Sequence, residues 1–357
     1  MSELARTKTH PVMVGSVQVG GGAPVSVQSM CTTKTDDADA TLHQIKKLAE
    51  AGCEIIRVAI PDTKALNGFE EICKYSPLPV VADIHFDYKL ALEAAKRGAA
   101  ALRINPGNIG SMERVDAVID AAKEAHIPIR IGVNAGSLAK EFDTRQDMTL
   151  VEKLVASSKS FVEHFSSRGF DNIVLSAKAH DVPTTLAVYR VLSKELPQIP
   201  LHVGVTEAGA LRQGTVKNSA AVGILLESGI GDTMRLSLTA DPVEEVHVAW
   251  ELLAALGMRR IKPELVSCPT CGRCGVDMIP IAEEVTKRLD GVRAPISVAV
   301  MGCVVNGPGE AKGVDLGVAC GKGQAVLFEN GNPIRKVPEN KIVDELFTEI
   351  ENRFGKK

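Results

Sequence analysis

Long apolar runs are missing from this chain of 357 residues. No stretch approaches the ~20 consecutive apolar residues that cross a bilayer. Residues 1–10 are polar and carry both charge signs, without the apolar stretch of a secretory leader. An excess of one charge is missing too. With 41 basic against 44 acidic side chains, the chain lacks the broad positive field that holds nucleic acid or a membrane surface. Its 8 cysteines are too sparse for a disulfide scaffold, and a reducing cytosol keeps them as thiols. Low-complexity tracts are absent. These absences predict a cytoplasmic protein with neither a membrane nor a nucleic-acid partner, in which any anion is held by a local cluster.

What is present is globular in kind: 45% hydrophobic and 24% charged residues. The length exceeds one ordinary core and predicts two domains. After an extended lead and a Gly-rich turn at Gly20–Gly22, short β-branched runs alternate with amphipathic stretches. The runs fall at 25–29, 54–60, 80–84, 102–105, 129–134, 172–178, 201–207 and 234–239. Helical patterns lie between them, several stopping at a glycine (Gly52, Gly98, Gly169, Gly229, Gly257) suited to a left-handed C′ position. Eight strands alternating with helices predict an α/β fold, a (β/α)8 TIM barrel over 1–262. No dinucleotide-type glycine fingerprint follows the first run, which weakens an open doubly wound sheet. From 263 to 357 the order becomes mixed: a Pro-containing connector, a cysteine-dense segment, a helix, a strand, a hairpin-like Gly-rich stretch and a last amphipathic helix. That order predicts a smaller α+β domain.

Alternate residues of barrel strands face the lumen, which is normally filled by Val, Ile and Leu. Several runs break that rule near their C-terminal ends. Arg103 and Asn105 share one face; Arg130, Gly132 and Asn134 share another; Ser176 and Lys178, then Arg235 and Ser237, repeat the pattern. Asp83 and His85 end the third run, Thr206 and Glu207 the seventh, and Arg57 lies in the second. One buried cation costs several kcal/mol unless it is paired, about 3–5 when a partner is removed. Five of them (Arg57, Arg103, Arg130, Lys178, Arg235) around one barrel mouth therefore imply an anionic guest such as a diphosphate or polycarboxylate. Taken singly, each arginine could instead pair with a carboxylate at a strand end. His85 could be a satisfied structural histidine, and Glu207 a counter-ion to an arginine.

Cys268 and Cys271 form a C-x-x-C turn, Cys274 adds a second step, and Cys303 follows 32 residues after Cys271. Thiolates at this spacing suit an iron-sulfur cluster, a structural zinc or a redox dithiol. Cys31, Cys53, Cys73 and Cys320 have no partner at ligand spacing and read as ordinary thiols.

The segments SCPTC (267–271) and MGCVVNGPGE (301–310) resemble the C-terminal signature of the 4-hydroxy-3-methylbut-2-enyl diphosphate synthase family. The resemblance extends through VSVQSM (25–30), ADIHF (82–86), LRINPG (102–107), RIGVNAGS (130–137) and GVTEAG (204–209), over nearly the whole chain. It implies a cytoplasmic oxidoreductase that opens 2-C-methyl-D-erythritol 2,4-cyclodiphosphate reductively, expelling the C3 hydroxyl as water. It further implies a 4Fe-4S cluster on Cys268, Cys271, Cys303 and Glu310, a ferredoxin or flavodoxin donor, and a head-to-tail homodimer. Carried over residue by residue, Arg57, His85, Arg103, Arg130, Asn134, Lys178, Thr206 and Ser237 would hold substrate. Asp83, Asn105 and Glu207 would lie nearest the reacting carbons, with Glu207 the candidate proton donor. Cys274 departs from the commoner family pattern. Two rival readings are a pterin- or corrinoid-type methyl-transfer barrel with a structural zinc, and a cluster-based redox sensor binding a partner or RNA; near-neutral charge argues against RNA.

Overall fold

A computed structural model describes residues 8–292, 294–303 and 311–355. The chain separates into two compact units, Met1–Met258 and Arg259–Lys357.

The first unit opens with an antiparallel hairpin, β1 (Val12–Val14) and β2 (Val17–Val19). Eight parallel strands follow: β3 (Ser26–Met30), β4 (Ile55–Ala59), β5 (Val80–Ile84), β6 (Ala101–Ile104), β7 (Ile129–Asn134), β8 (Ile173–Lys178), β9 (His202–Val203) and β10 (Thr233–Met234). They lie in the order β8-β7-β6-β5-β4-β3-β10-β9. A parallel bridge between Leu175 and Leu201 joins the two ends of that order and closes the barrel. Strands β5 and β8 are buried along their whole length, as expected where helices cover one face and the lumen is filled.

Helices alternate with these strands because the sequence supplies both their starts and their stops. Asp37, Asp87, Asp181 and Asp241 each accept a first-turn backbone N–H, and Thr149 with Glu152 forms a capping box. All five glycines expected as stops have positive φ. The helix Ala38–Ala51 shows the packing rule: Thr41, Ile45 and Leu48 recur on its buried face at helical spacing.

Two features of this unit differ from the sequence expectation. The extended lead is a hairpin whose Val12, Val14 and Val19 pack with Ile55, Val81, Ala101 and Val174, plugging the N-terminal end of the barrel. The last two strands are only two residues long, because side chains from helices take over their ladder. Asn218 accepts from Val205 N–H and donates to the Ser237 carbonyl, while Glu245 accepts from Leu238 N–H.

The second unit is built on a five-stranded sheet of β11 (Glu264–Ser267), β12 (Ser297–Met301), β13 (Leu316–Gly321), β14 (Gln324–Glu329) and β15 (Asn332–Pro338), in that order. The first three strands are parallel and the last three antiparallel. Helices Met278–Leu289 and Ile342–Phe354 bury Val285, Leu289, Leu346 and Ile350 against Val298, Val300, Val318 and Leu327. The expected connector contains β11, and the Gly-rich stretch holds three strands. Among the described residues, no helix is long and apolar enough to cross a membrane.

Candidate active site

The C-terminal ends of the barrel strands enclose a cavity of about 200 Å³ lined by thirteen residues, most of them polar or charged. Register explains the gathering. Asp83 on β5 lies beside Arg103 on β6, which lies beside Arg130 on β7; Asn134 at the end of β7 lies beside Lys178 at the end of β8. Side chains that share a pleat point the same way, here into the lumen.

The charges do not balance. Asp83 pairs with Arg103 at 3.1 Å, with Arg57 at 3.5 Å and with His85 at 3.4 Å. Glu245 receives both forks of Arg235, at 2.8 and 3.1 Å, and a hydroxyl from Ser29. Arg130 has only the side-chain carbonyl of Gln28, and among the described residues neither Arg130 nor Lys178 has an ion-pair partner. Both are over nine-tenths buried, at 6% and 7% exposure. Burial, then the neighbouring cations, drives the Lys178 and Arg130 pKa values well below their ordinary range. Burial would raise the Asp83 carboxyl, but Arg57, the His85 hydrogen bond and Arg103 outweigh it and hold it well below the usual carboxylate range. Asp83 is therefore an anion that organises arginines, and the cavity keeps a positive surplus for a guest.

Backbone fits side chain closely at two glycines. A Cβ on Gly132 would stand 2.6 Å from Arg103 Nε, so the guanidinium lies against bare backbone. A Cβ on Gly204 would meet the Arg235 carbonyl at 2.2 Å and Lys178 Nζ at 2.8 Å.

Of the residues singled out from sequence, Arg57, Asp83, His85, Arg103, Arg130, Asn134, Lys178, Thr206, Arg235 and Ser237 line the cavity. Asn105 does not line it. The strand ends at Ile104, and the Asn105 side chain caps the short helix Pro106–Ile109 through Gly107 N–H while donating to Ser137. Glu207 is exposed, in the left-handed region at φ 53, a conformation uncommon for a side chain of its size. Met30 and His202 also line the cavity and were not expected there. Met30 takes the Arg57 guanidinium on its sulfur at 2.7 and 3.1 Å. A larger recess of about 560 Å³ lies outside the barrel among Phe142, Val151, Val155 and Val191, but its Lys159 is already paired with Glu195.

In the second unit the parallel pairing of β11 with β12 sets the cysteines side by side. Cys268 N–H donates to the Val300 carbonyl and Gly275 N–H to that of Gly302, so the turn between them docks on the end of β12, where Cys303 follows. The Arg273 guanidinium is held charged by its hydrogen bond to Cys271 and by the nearby Cys303 and Cys268. Cys274 instead turns toward the core: a Cβ on Gly302 would stand 2.7 Å from its sulfur, and it packs against the cluster containing Met278 and Cys320. Exposed and half-buried soft thiolates of this kind suit iron. Among the described residues they are not drawn to one point at ligand distance, and Glu310 lies outside the described residues. Burial pushes the Cys31, Cys53, Cys73 and Cys320 thiols up to about 12, which makes them inert.

Residues 9–250 match the GcpE TIM-barrel domain and residues 264–352 the GcpE protein C-terminal domain. A protein of Geobacter sulfurreducens named 4-hydroxy-3-methylbut-2-en-1-yl diphosphate synthase (flavodoxin) is 53% identical over 99% of this chain and 99% of its own length. Proteins of the same name are 53% identical in Clostridium acetobutylicum and 50% in Bacillus subtilis, each over 98% of this chain and over 100% and 93% of their own lengths. Among solved structures, a dihydropteroate synthase from Coxiella burnetii with pteroic acid covers 70% of this chain and 98% of its own. At 12% identity and a TM-score of 0.52, that is a likeness of fold alone.

Proposed function

The chain belongs to the GcpE family, and on that premise we propose that it is a 4-hydroxy-3-methylbut-2-en-1-yl diphosphate synthase taking electrons from flavodoxin. Its reaction is the two-electron opening of 2-C-methyl-D-erythritol 2,4-cyclodiphosphate at C2–O with loss of the C3 hydroxyl as water. The observation that carries this reading is the buried basic pair, Arg130 and Lys178, which has no carboxylate partner among the described residues. A dianionic diphosphate is the guest that completes them.

Arg130 and Lys178 neutralise the diphosphate oxygen that departs when the ring opens, while Arg57 and Arg103, fixed by Asp83, and Arg235, fixed by Glu245, supply preset donors. Asn134, Thr206, Ser237 and His85 hydrogen-bond the remaining oxygens. Glu207, at the rim on the loop after β9, protonates the departing hydroxyl. Asp83 and Asn105 support rather than react: one is held as an anion, the other is engaged at a helix start. When bound, a 4Fe-4S cluster on Cys268, Cys271, Cys303 and Glu310 would supply the two electrons one at a time. We further take the working form to be a cytoplasmic homodimer.

The test is turnover of the cyclodiphosphate by chain reconstituted anaerobically with iron and sulfide, using reduced flavodoxin. Expected are the linear diphosphate and loss of the visible iron-sulfur spectrum in Cys268→Ser, Cys271→Ser and Cys303→Ser, with Cys274→Ser keeping both spectrum and turnover. Protein that takes up only zinc, or turns nothing over with a full cluster, would overturn the reading. Sedimentation showing a fully active monomer would refute the dimer.

A further inference from the structure

Below the anion cavity the barrel holds a second, small chamber of about 20 Å³, in which Gln28, Arg130, His202 and Thr233 stand among apolar residues that include Val14 and Val19 of the hairpin. A core layer at this depth of a barrel is normally aliphatic. Here Thr233 on β10 lies directly beside Ser26 on β3 and His202 on β9, so three polar side chains stand at one height on three adjacent strands. Ser26, Thr233 and His202 are 1%, 3% and 0% exposed. Ser26 Oγ, Thr233 Oγ1, both ring nitrogens of His202 and Arg130 Nε are buried without a protein partner among the described residues. Buried polar atoms are almost always satisfied by protein or by trapped water, and a chamber of this size holds one water.

His202 and Arg130 border both the chamber and the anion cavity. We infer that His202 is a positioning residue for Arg130: with Thr233 it holds a buried water that accepts the Arg130 Nε–H, fixing the guanidinium plane beneath the anion. The inference rests on the reading of the cavity as the diphosphate site. Burial, then Arg130 and Lys178, keeps the His202 imidazole neutral, so one ring nitrogen donates and the other accepts. The accepting nitrogen can take one hydrogen of a water whose lone pair takes the Arg130 Nε–H. Gln28 already holds one terminal nitrogen of Arg130, so a second anchor at Nε leaves the guanidinium no free rotation.

The experiment compares full-length, reconstituted wild type with His202→Leu, His202→Gln and Thr233→Val. It reads KM and kcat for the cyclodiphosphate, calorimetric binding of inorganic pyrophosphate, and melting temperature. Loss of a hydrogen bond that orients a charged group predicts pyrophosphate binding and KM weakened about tenfold in His202→Leu. The change in kcat should be smaller, His202→Gln should restore most of the loss, and Thr233→Val should fall between. A high-resolution crystal structure should show one water within hydrogen-bond reach of a His202 nitrogen and Arg130 Nε. Wild-type binding in both His202→Leu and Thr233→Val, or a dry chamber, would overturn the inference; if His202→Leu does not fold, Thr233→Val decides alone. Wild type that ignores pyrophosphate and is indifferent to Arg130→Met would instead sink the diphosphate reading beneath it.

Discussion

Among the described residues, Arg130 and Lys178 are basic side chains buried without a carboxylate partner. Lys178 turns this into a pH dependence whose sign is fixed. Its pKa in the empty protein is lowered, chiefly by burial, so between that value and the ordinary lysine range the unfolded chain binds the extra proton. Stability of the empty protein therefore rises with pH across that window. An anionic guest favours the ammonium, so binding takes up a proton and affinity falls as pH rises. Calorimetry of pyrophosphate binding in buffers of differing ionisation enthalpy should show more proton uptake in wild type than in Lys178→Met. Gly132 supplies a second residue-scale test. Alanine there displaces only the flexible end of Arg103, so Gly132→Ala should raise KM about tenfold, the worth of an oriented charged hydrogen bond, with little change in melting temperature. Arg103, Arg130 and Lys178 were legible in the sequence because strand alternation is a backbone property. Asn105 shares that alternation and its backbone is still extended, yet it lies off the cavity because its side chain is taken up by Gly107 N–H and Ser137. His202 and Met30 were illegible: in an apolar run, a histidine facing cations looks the same as one filling space.

The elements that carry the site are uneven in how they are held. Strands β4 to β8 pair through three to six residues, and their β-branched runs announced them. Strands β9 and β10 pair through two residues each, and side chains of flanking helices finish the work. Asn218 is the sharpest case, fully buried with bonds to Gly214, Val205 and Ser237. Asn218→Leu should cost roughly 2–4 kcal/mol in urea unfolding, since it strands a buried N–H and a buried carbonyl. Because Thr206 and Ser237 flank the bonded groups, KM should rise with it. No periodicity could have revealed this: an asparagine on a helix facing the barrel is chemically visible only once its three partners are in place. In the second unit the same limit hid β11 and divided the Gly-rich stretch into three strands, where short runs lack the length that makes a period evident.

At the scale of the molecule, the division at Met258 leaves all the cations of the cavity in the first unit and all the clustered cysteines in the second. A fragment covering residues 8–258 should therefore bind inorganic pyrophosphate as the whole chain does, measured by calorimetry, while having no reductive activity. Weak binding by a well-folded fragment would show that the cavity is incomplete. The two-part organisation was readable because composition and element order both change near it; the hairpin was not, since six residues of valine-rich lead carry no sign of what they cover. Among the described residues that hairpin covers the N-terminal end of the barrel, which leaves the C-terminal mouth for traffic. Whatever enters must leave by the same route, so spent diphosphate and fresh cyclodiphosphate exclude each other, and the linear product should inhibit in strict competition with its precursor.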